Sequence, residues 1–252
     1  MRLAIAGKGG AGKTTISATA ARLAARTGMR VVAVDADSSP NLGAALGHAA
    51  SNQGATTPTL PPSLVSRRLD GAGFLQPVDE VLAEHAIEAP DGVQLIAMGS
   101  PGHAEEGCLC SAHAVISTLL AELGDRQGTL TVVDMEASPE HLSRGTARHA
   151  DILLLVAEPY YRALEAVRRL GELARELPIP RVAVVANKIR SAADHEAISA
   201  YCERHGLEQV ATVAWSEDVL AADRSGRSVL DAAPESSLVH SVDELLLNIG
   251  AR

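Results

Sequence analysis

The stretch Gly7-Lys8-Gly9-Gly10-Ala11-Gly12-Lys13-Thr14-Thr15 decides the fold. Gly7 and Gly12, followed by Lys13-Thr14, satisfy the phosphate-loop pattern G-x-x-x-x-G-K-[ST]. A short apolar run at 3–6 precedes it, and Ile16, Ala20 and Leu23 recur after it at helical spacing. Strand, glycine turn and helix start are the context that a phosphate site needs. Glycines let successive backbone N–H groups curl around one anion, and the helix N-terminus adds a favourable dipole. Gly9, Gly10, Ala11, Gly12, Lys13, Thr14 and Thr15 are therefore the expected nucleotide-binding residues. Lys13 supplies a point charge to the terminal phosphates, and the Thr14 hydroxyl is a Mg²⁺ ligand. The expected ligand is a nucleoside triphosphate.

Outward from the loop, apolar strands alternate with amphipathic helices. Strands are expected at 30–35, 93–98, 130–134, 151–158, 181–186 and 210–214, and helices at 14–27, 77–86, 112–123, 161–177 and 193–205. A last amphipathic helix runs through Val239, Val242, Leu245, Leu246 and Ile249. This alternation predicts an α/β fold: one doubly wound, mostly parallel sheet with helices on both faces, the whole chain 1–252 forming one P-loop domain. Residues 48–73, rich in Ala, Ser, Thr, Gly and Pro, read as a loop-rich insertion.

Three strand ends carry polar groups suited to a ligand at the carboxyl edge of the sheet. Asp35-Ala36-Asp37 closes the second strand, and one of these carboxylates can cap the next helix while the other serves the site. Asp134 ends the run 130–134 in the Walker B manner, where an acid holds Mg²⁺ directly or through water. Asn187 ends the strand at 181–186, and its amide offers both a donor and an acceptor to a purine edge.

Cys108-Leu109-Cys110 stands at or just before a helix N-terminus, which lowers thiol pKa and favours the metal-binding thiolate. Two thiolates are too few for a closed soft-metal site. Either His103, His113 or Glu106 completes the shell, or a two-fold axis supplies a second pair. A pair of inert buried thiols is the competing reading. Cys202, on an expected helix, reads as a structural thiol.

Composition narrows the function classes. The formal net charge is −9, which argues against nonspecific binding to nucleic acid or to anionic membranes. No apolar run is long enough to span a bilayer, and the few residues before Gly7 do not form a secretion leader. Three cysteines, an odd number, suit a reducing compartment better than a disulfide framework, so a cytoplasmic protein is expected. Aromatics make up only 2% of residues, so Ala, Leu and Val must fill the core.

Lys8 adds a second lysine at the start of the loop. The run 8–15 resembles the deviant Walker A ATPases, which include Min and Par partition ATPases, nitrogenase iron protein and metal-centre assembly ATPases. That resemblance implies ATP hydrolysis in a homodimer, with Lys8 reaching the partner's phosphates and Asp37 positioning the attacking water. It further implies Asp134 at Mg²⁺ and Asn187 at adenine, with Lys8, Lys13 and Asp37 the catalytic residues. Within the class the chain is similar to CooC-type accessory ATPases of carbon monoxide dehydrogenase. The residues carrying this are Gly107-Cys108-Leu109-Cys110, Asp134-Met135-Glu136-Ala137 with Glu140-His141-Leu142, and Asn187-Lys188. That family implies that Cys108 and Cys110 of each subunit build one Cys₄ site for Ni²⁺ or Zn²⁺. The client would be a nickel metalloenzyme such as carbon monoxide dehydrogenase, with neither nucleic acid nor membrane as partner. Ser138-Pro139 stands where the class has a glycine that donates to the γ-phosphate, so slow hydrolysis is expected. An iron–sulfur carrier or reductase and a Min/Par-like positioning switch are the alternatives.

Overall fold

The computed structural model describes residues 1–48, 59–68, 71–98, 110–124, 126–136, 142 and 145–251. Its eight-stranded sheet has the order β10-β9-β8-β1-β7-β2-β6-β5. The strands are β1 (Arg2–Gly7), β2 (Arg30–Ala36), β5 (Ile87–Ala89), β6 (Val93–Ala97), β7 (Thr129–Met135), β8 (Ile152–Ala157), β9 (Arg181–Ile189) and β10 (Glu208–Ala214). All pairings are parallel except β5 with β6. The expected doubly wound sheet is present, and short β5 closes one edge in the opposite sense.

Alternating side chains divide the apolar residues between two cores. Leu3, Ile5, Val132, Leu154 and Val185 face α1 (Lys13–Arg26), α2 (Leu42–Leu46) and the last helix, Ser237–Asn248. Ala4, Val34, Val133, Leu155 and Val184 face α3 (Val78–His85), α4 (Cys110–Leu123), α5 (Tyr161–Arg175) and α6 (Ala192–Arg204). Strands buried on both faces read as continuous apolar runs, and for that reason the sequence announces them strongly. Ala20, Ala21 and Ala24 are fully buried on α1, and their small side chains let this helix lie close to the sheet.

Three features depart from the expectations. In and beside the insertion region, β3 (Val65–Arg68) pairs antiparallel with β4 (Gly71–Phe74), and Thr59 bridges Ala97. Gly71, Ala72 and Gly73 give that strand no periodic signal. β9 continues past 186 to Ile189, because β10 pairs with it as far as Ala214 opposite Ile189. Asn187 therefore lies inside the strand. Two short helices that the sequence did not announce, α7 (Glu217–Arg224) and α8 (Val229–Ala232), follow β10, and the last helix is accordingly α9. Ser216 and Ser228 start α7 and α8 by accepting the N–H groups of Asp218 and Leu230.

Candidate nucleotide site

β1 delivers the phosphate loop to the carboxyl edge of the sheet. A Cβ on Gly7 would meet the Val156 carbonyl oxygen at 2.5 Å, so glycine is required where β1 leaves β8. Gly12, at φ 99°, has no room either: a Cβ there would lie 2.3 Å from Asn187 Nδ2. The turn closes with the Ala11 N–H donating to the Lys8 carbonyl at 3.1 Å, and α1 starts at Lys13. Lys13 is buried, with Nζ 3.4 Å from the same carbonyl, whereas Lys8 is exposed. The two lysines thus differ, Lys13 buried and folded over the loop and Lys8 exposed to solvent.

Asp134 stands at the centre of a polar cluster. Thr14 Oγ1 donates to its Oδ2 at 2.6 Å, and Ser17 Oγ donates to its Oδ1 at 3.1 Å. Thr14 and Ser17 are three residues apart on one helix face, so both reach the same carboxylate. Parallel pairing of β2 with β7 sets Asp35 opposite Asp134. Burial pushes the Asp134 carboxyl up to about 7, and the Asp35 charge adds to the rise. Burial likewise raises Asp35 to about 6. The hard oxygens of Thr14 and Asp134 at the mouth of the loop fit the donor chemistry that Mg²⁺ takes.

The two acids after β2 divide their work. Asp35 Oδ2 accepts the Leu42 N–H at 2.8 Å and so caps α2. Asp37 is half-buried at the sheet edge, where Oδ1 accepts the Ser39 N–H at 2.8 Å. Asn187 is buried, and its Nδ2 donates to the Ala11 carbonyl at 2.7 Å. With one of its two amide N–H groups engaged, Oδ1 and the second N–H are left to read a base.

A cleft of about 360 Å³ runs from the phosphate loop past Asn187; Asp35, Asp37 and Asp134 are not among its lining residues. Gly10, Gly12, Lys13, Thr14, Thr15 and Asn187 line its phosphate end. Ala214, Trp215, Ser216, Val219, Leu220 and Asp223 line the other. Sequence reasoning missed that second wall, although Ser216 before Glu217-Asp218 is a helix-start signal that could have placed α7 there. It also missed Ser17, which the spacing from Thr14 could have revealed. Arg190 lies 4.0 Å above the Trp215 ring, and Trp215 Nε1 donates to Glu217 at 2.9 Å, fixing the indole at the cleft rim.

Comparison with known proteins agrees with this geometry. The profile of the CobQ/CobB/MinD/ParA nucleotide binding domain (CbiA) matches residues 3–229. The carbon monoxide dehydrogenase accessory protein CooC of Rhodospirillum rubrum is 34% identical over 242 residues, covering 93% of this chain and 91% of that protein. The chain belongs to the CobQ/CobB/MinD/ParA family of P-loop ATPase domains and, within it, to the CooC-type accessory ATPases. An uncharacterized ATP-binding protein of Methanocaldococcus jannaschii is 30% identical, with 91% of each chain covered. The septum site-determining protein MinD of Pyrococcus horikoshii, solved with Mg-ADP, superimposes with a TM-score of 0.72 at 18% identity, covering 99% of this chain and 96% of that one. That likeness concerns the fold shared by CooC-type and MinD-type ATPases.

Most of the expected soft-metal residues lie outside the described part of the chain. Cys108, Ser138, His103 and Glu106 lie outside the described residues, and of Cys110 only its place as the first residue of α4 is described. Among the described residues no three His, Cys, Asp or Glu side chains converge on a metal position. His113 is buried in α4, its Nδ1 3.1 Å from Thr146 Oγ1. Cys202 is buried, and burial raises its thiol pKa, consistent with a structural role. Among the described residues no helix is long and apolar enough to cross a membrane.

Proposed function

We propose that this chain is a Mg²⁺-dependent ATPase that works as a homodimeric metallochaperone, carrying nickel to a client such as carbon monoxide dehydrogenase. The observation that carries the reading is the similarity to CooC over 93% of the chain, together with the Cys108-Leu109-Cys110 run that leads into α4.

The phosphate loop and the polar residues around it divide the chemistry. The N–H groups of Gly9 to Thr15 and the α1 N-terminus bind the phosphate oxygens, and Lys13 neutralises the terminal pair. Thr14 and Asp134 would hold Mg²⁺, which would supply charge neutralisation at the phosphates. Asp37 orients a water for in-line attack on the γ-phosphorus. The bond to the β–γ bridging oxygen breaks, the water's proton passes to solvent or phosphate, and ADP and phosphate result. Lys8 leaves the loop outward, so its ammonium serves the phosphates of a second subunit. Asn187 Oδ1 accepts from the amino group of adenine. Ser138-Pro139 replaces the glycine expected to donate to the γ-phosphate, so turnover is slow.

The metal is cargo. Cys108 and Cys110 of two subunits supply four thiolates, a set that takes nickel or zinc and does not itself distinguish them. ATP-driven closing and reopening of the dimer would change their spacing and so load or release the ion.

Metal analysis of the purified dimer with and without ATP tests this reading. One nickel or zinc per dimer is expected, lost in the Cys108→Ala/Cys110→Ala variant. Equal metal in that variant would overturn it. A brown protein with visible absorption after anaerobic purification would instead favour an iron–sulfur carrier.

A further inference from the structure

In a regular strand successive side chains point to opposite faces. Asn187 and Lys188 break that rule: Asn187 Nδ2 donates to the carbonyl of Ala11, and Lys188 Nζ to the carbonyl of Gly10. Both thus grip adjacent peptides of the phosphate loop, some 180 residues earlier in the chain. The cause is visible in the strand register. Ala186 pairs with Thr212, but Ile189 pairs with Ala214, so β9 spends one more residue than β10 over this interval. Lys188 takes φ 60°, a left-handed conformation uncommon for a residue with a side chain. A bulge at this point re-aims a side chain, which is what bulges beside functional sites do.

Lys188 is also paired. Its Nζ lies 2.9 Å from Glu158 Oε1, just past the end of β8. The ammonium therefore joins three neighbouring strand ends, those of β1, β8 and β9. Its side chain is 31% exposed and that of Glu158 15%, so the pair is partly shielded from solvent.

We propose that Lys188, held by Glu158 and presented by the β9 bulge, is a positioning residue for the phosphate loop. By drawing the Gly10 carbonyl outward it keeps the neighbouring N–H groups turned to the phosphates. It also fixes the turn Lys8-Gly9-Gly10 from which Lys8 projects. Glu158 keeps the ammonium from swinging onto the phosphates in place of Lys13. The left-handed backbone is retained because it is the conformation that turns the ammonium to Gly10.

This deepens the ATPase reading and rests on it, so the test has one readout independent of nucleotide. Lys188→Gly removes the amine while relieving the left-handed strain, and Lys188→Arg keeps a cation. In the glycine variant the thermal midpoint is expected to hold or rise. Its ATP KM should rise about tenfold, and kcat should fall by roughly ten- to a hundredfold. Lys188→Arg should recover part of both, and Glu158→Gln should fall between them. Hydrogen exchange of peptide 7–15 without nucleotide should be faster in Lys188→Gly than in wild type. A merely structural lysine would lose stability together with affinity. Wild-type exchange and wild-type kinetics in Lys188→Gly would overturn the proposal. If wild type itself neither bound nor hydrolysed ATP, the ATPase reading would fall, and the exchange of 7–15 would still decide for or against the clamp.

Discussion

Thr14 Oγ1 and Asp134 Oδ2 meet at 2.6 Å, joining the first turn of α1 to the end of β7. The contact places a hard-oxygen pair at the mouth of the phosphate loop. It also leaves Asp134 buried opposite Asp35, two acids with raised pKa values on neighbouring strands.

The first consequence is a pH dependence of stability. Both acids have folded pKa values above the unfolded value of about 3.9, so the native state binds more protons than the unfolded chain between them. Stability contributed by their protonated forms is full below about 4 and is lost as pH rises through about 6 for Asp35 and about 7 for Asp134. The loss is spread over the span between the unfolded value and the two folded values. The thermal midpoint of the nucleotide-free protein should fall between pH 5 and pH 8, and Asp134→Asn should flatten the upper part of that curve. An Asp134→Asn profile parallel to wild type would count against the assignment.

Removing the Thr14 hydroxyl should affect chemistry more than folding, because the group is small and Ser17 still donates to Asp134. Thr14→Ala is expected to lower kcat by about 10²-fold and to raise the Mg²⁺ concentration for half-maximal rate, while Thr14→Ser stays close to wild type. Steady-state ATPase assays across a Mg²⁺ series give the answer.

Asn187 spends one amide N–H on Ala11 and keeps Oδ1 and its second N–H, a pair that matches the amino donor and N7 acceptor of adenine and not the two acceptors of guanine. ATP should therefore bind more tightly than GTP, by about tenfold or more. Competition titrations with the two nucleotides measure the ratio, and equal affinities would contradict the arrangement.

Arg22 is a buried cation on α1. It bonds Asp91 at 2.6 Å and both oxygens of Asp231 at 2.7 and 2.8 Å, and donates also to Ser228 and to the Leu46 carbonyl. The Asp231 side chain is 40% exposed, so water recovers part of what a lost partner would cost. Arg22→Met should still destabilise by about 2 kcal/mol, a fall in thermal midpoint of roughly 4–8 °C at this size. A calorimetric midpoint unchanged from wild type would show that the network contributes no net stability.

The sequence by itself determined the parallel sheet, the phosphate loop and the identity of its polar residues. Strands such as β8 are apolar on both faces, and a glycine turn between strand and helix has a strong local signature. Local patterns also placed Asp134 near the end of its strand, whereas Asn187, read as a strand end, lies inside β9. What they could not settle was any relation made by strands side by side. Only tertiary structure divided Asp35 from Asp37, because the cap of α2 depends on where Leu42 comes to rest. Only the β2–β7 register brought Asp35 opposite Asp134, and burial at the folded sheet made both acids hard to ionise. Only the bulge in β9 turned Lys188 toward Gly10, since its position depends on how β10 pairs. The β3–β4 pair went unread because its glycine-rich strand carries no alternation, and the base-side wall because α7 is short. Period and turn chemistry act within a few residues and are written locally. Register, burial and shared carboxylates arise between segments far apart in the chain, and they exist only once it has folded.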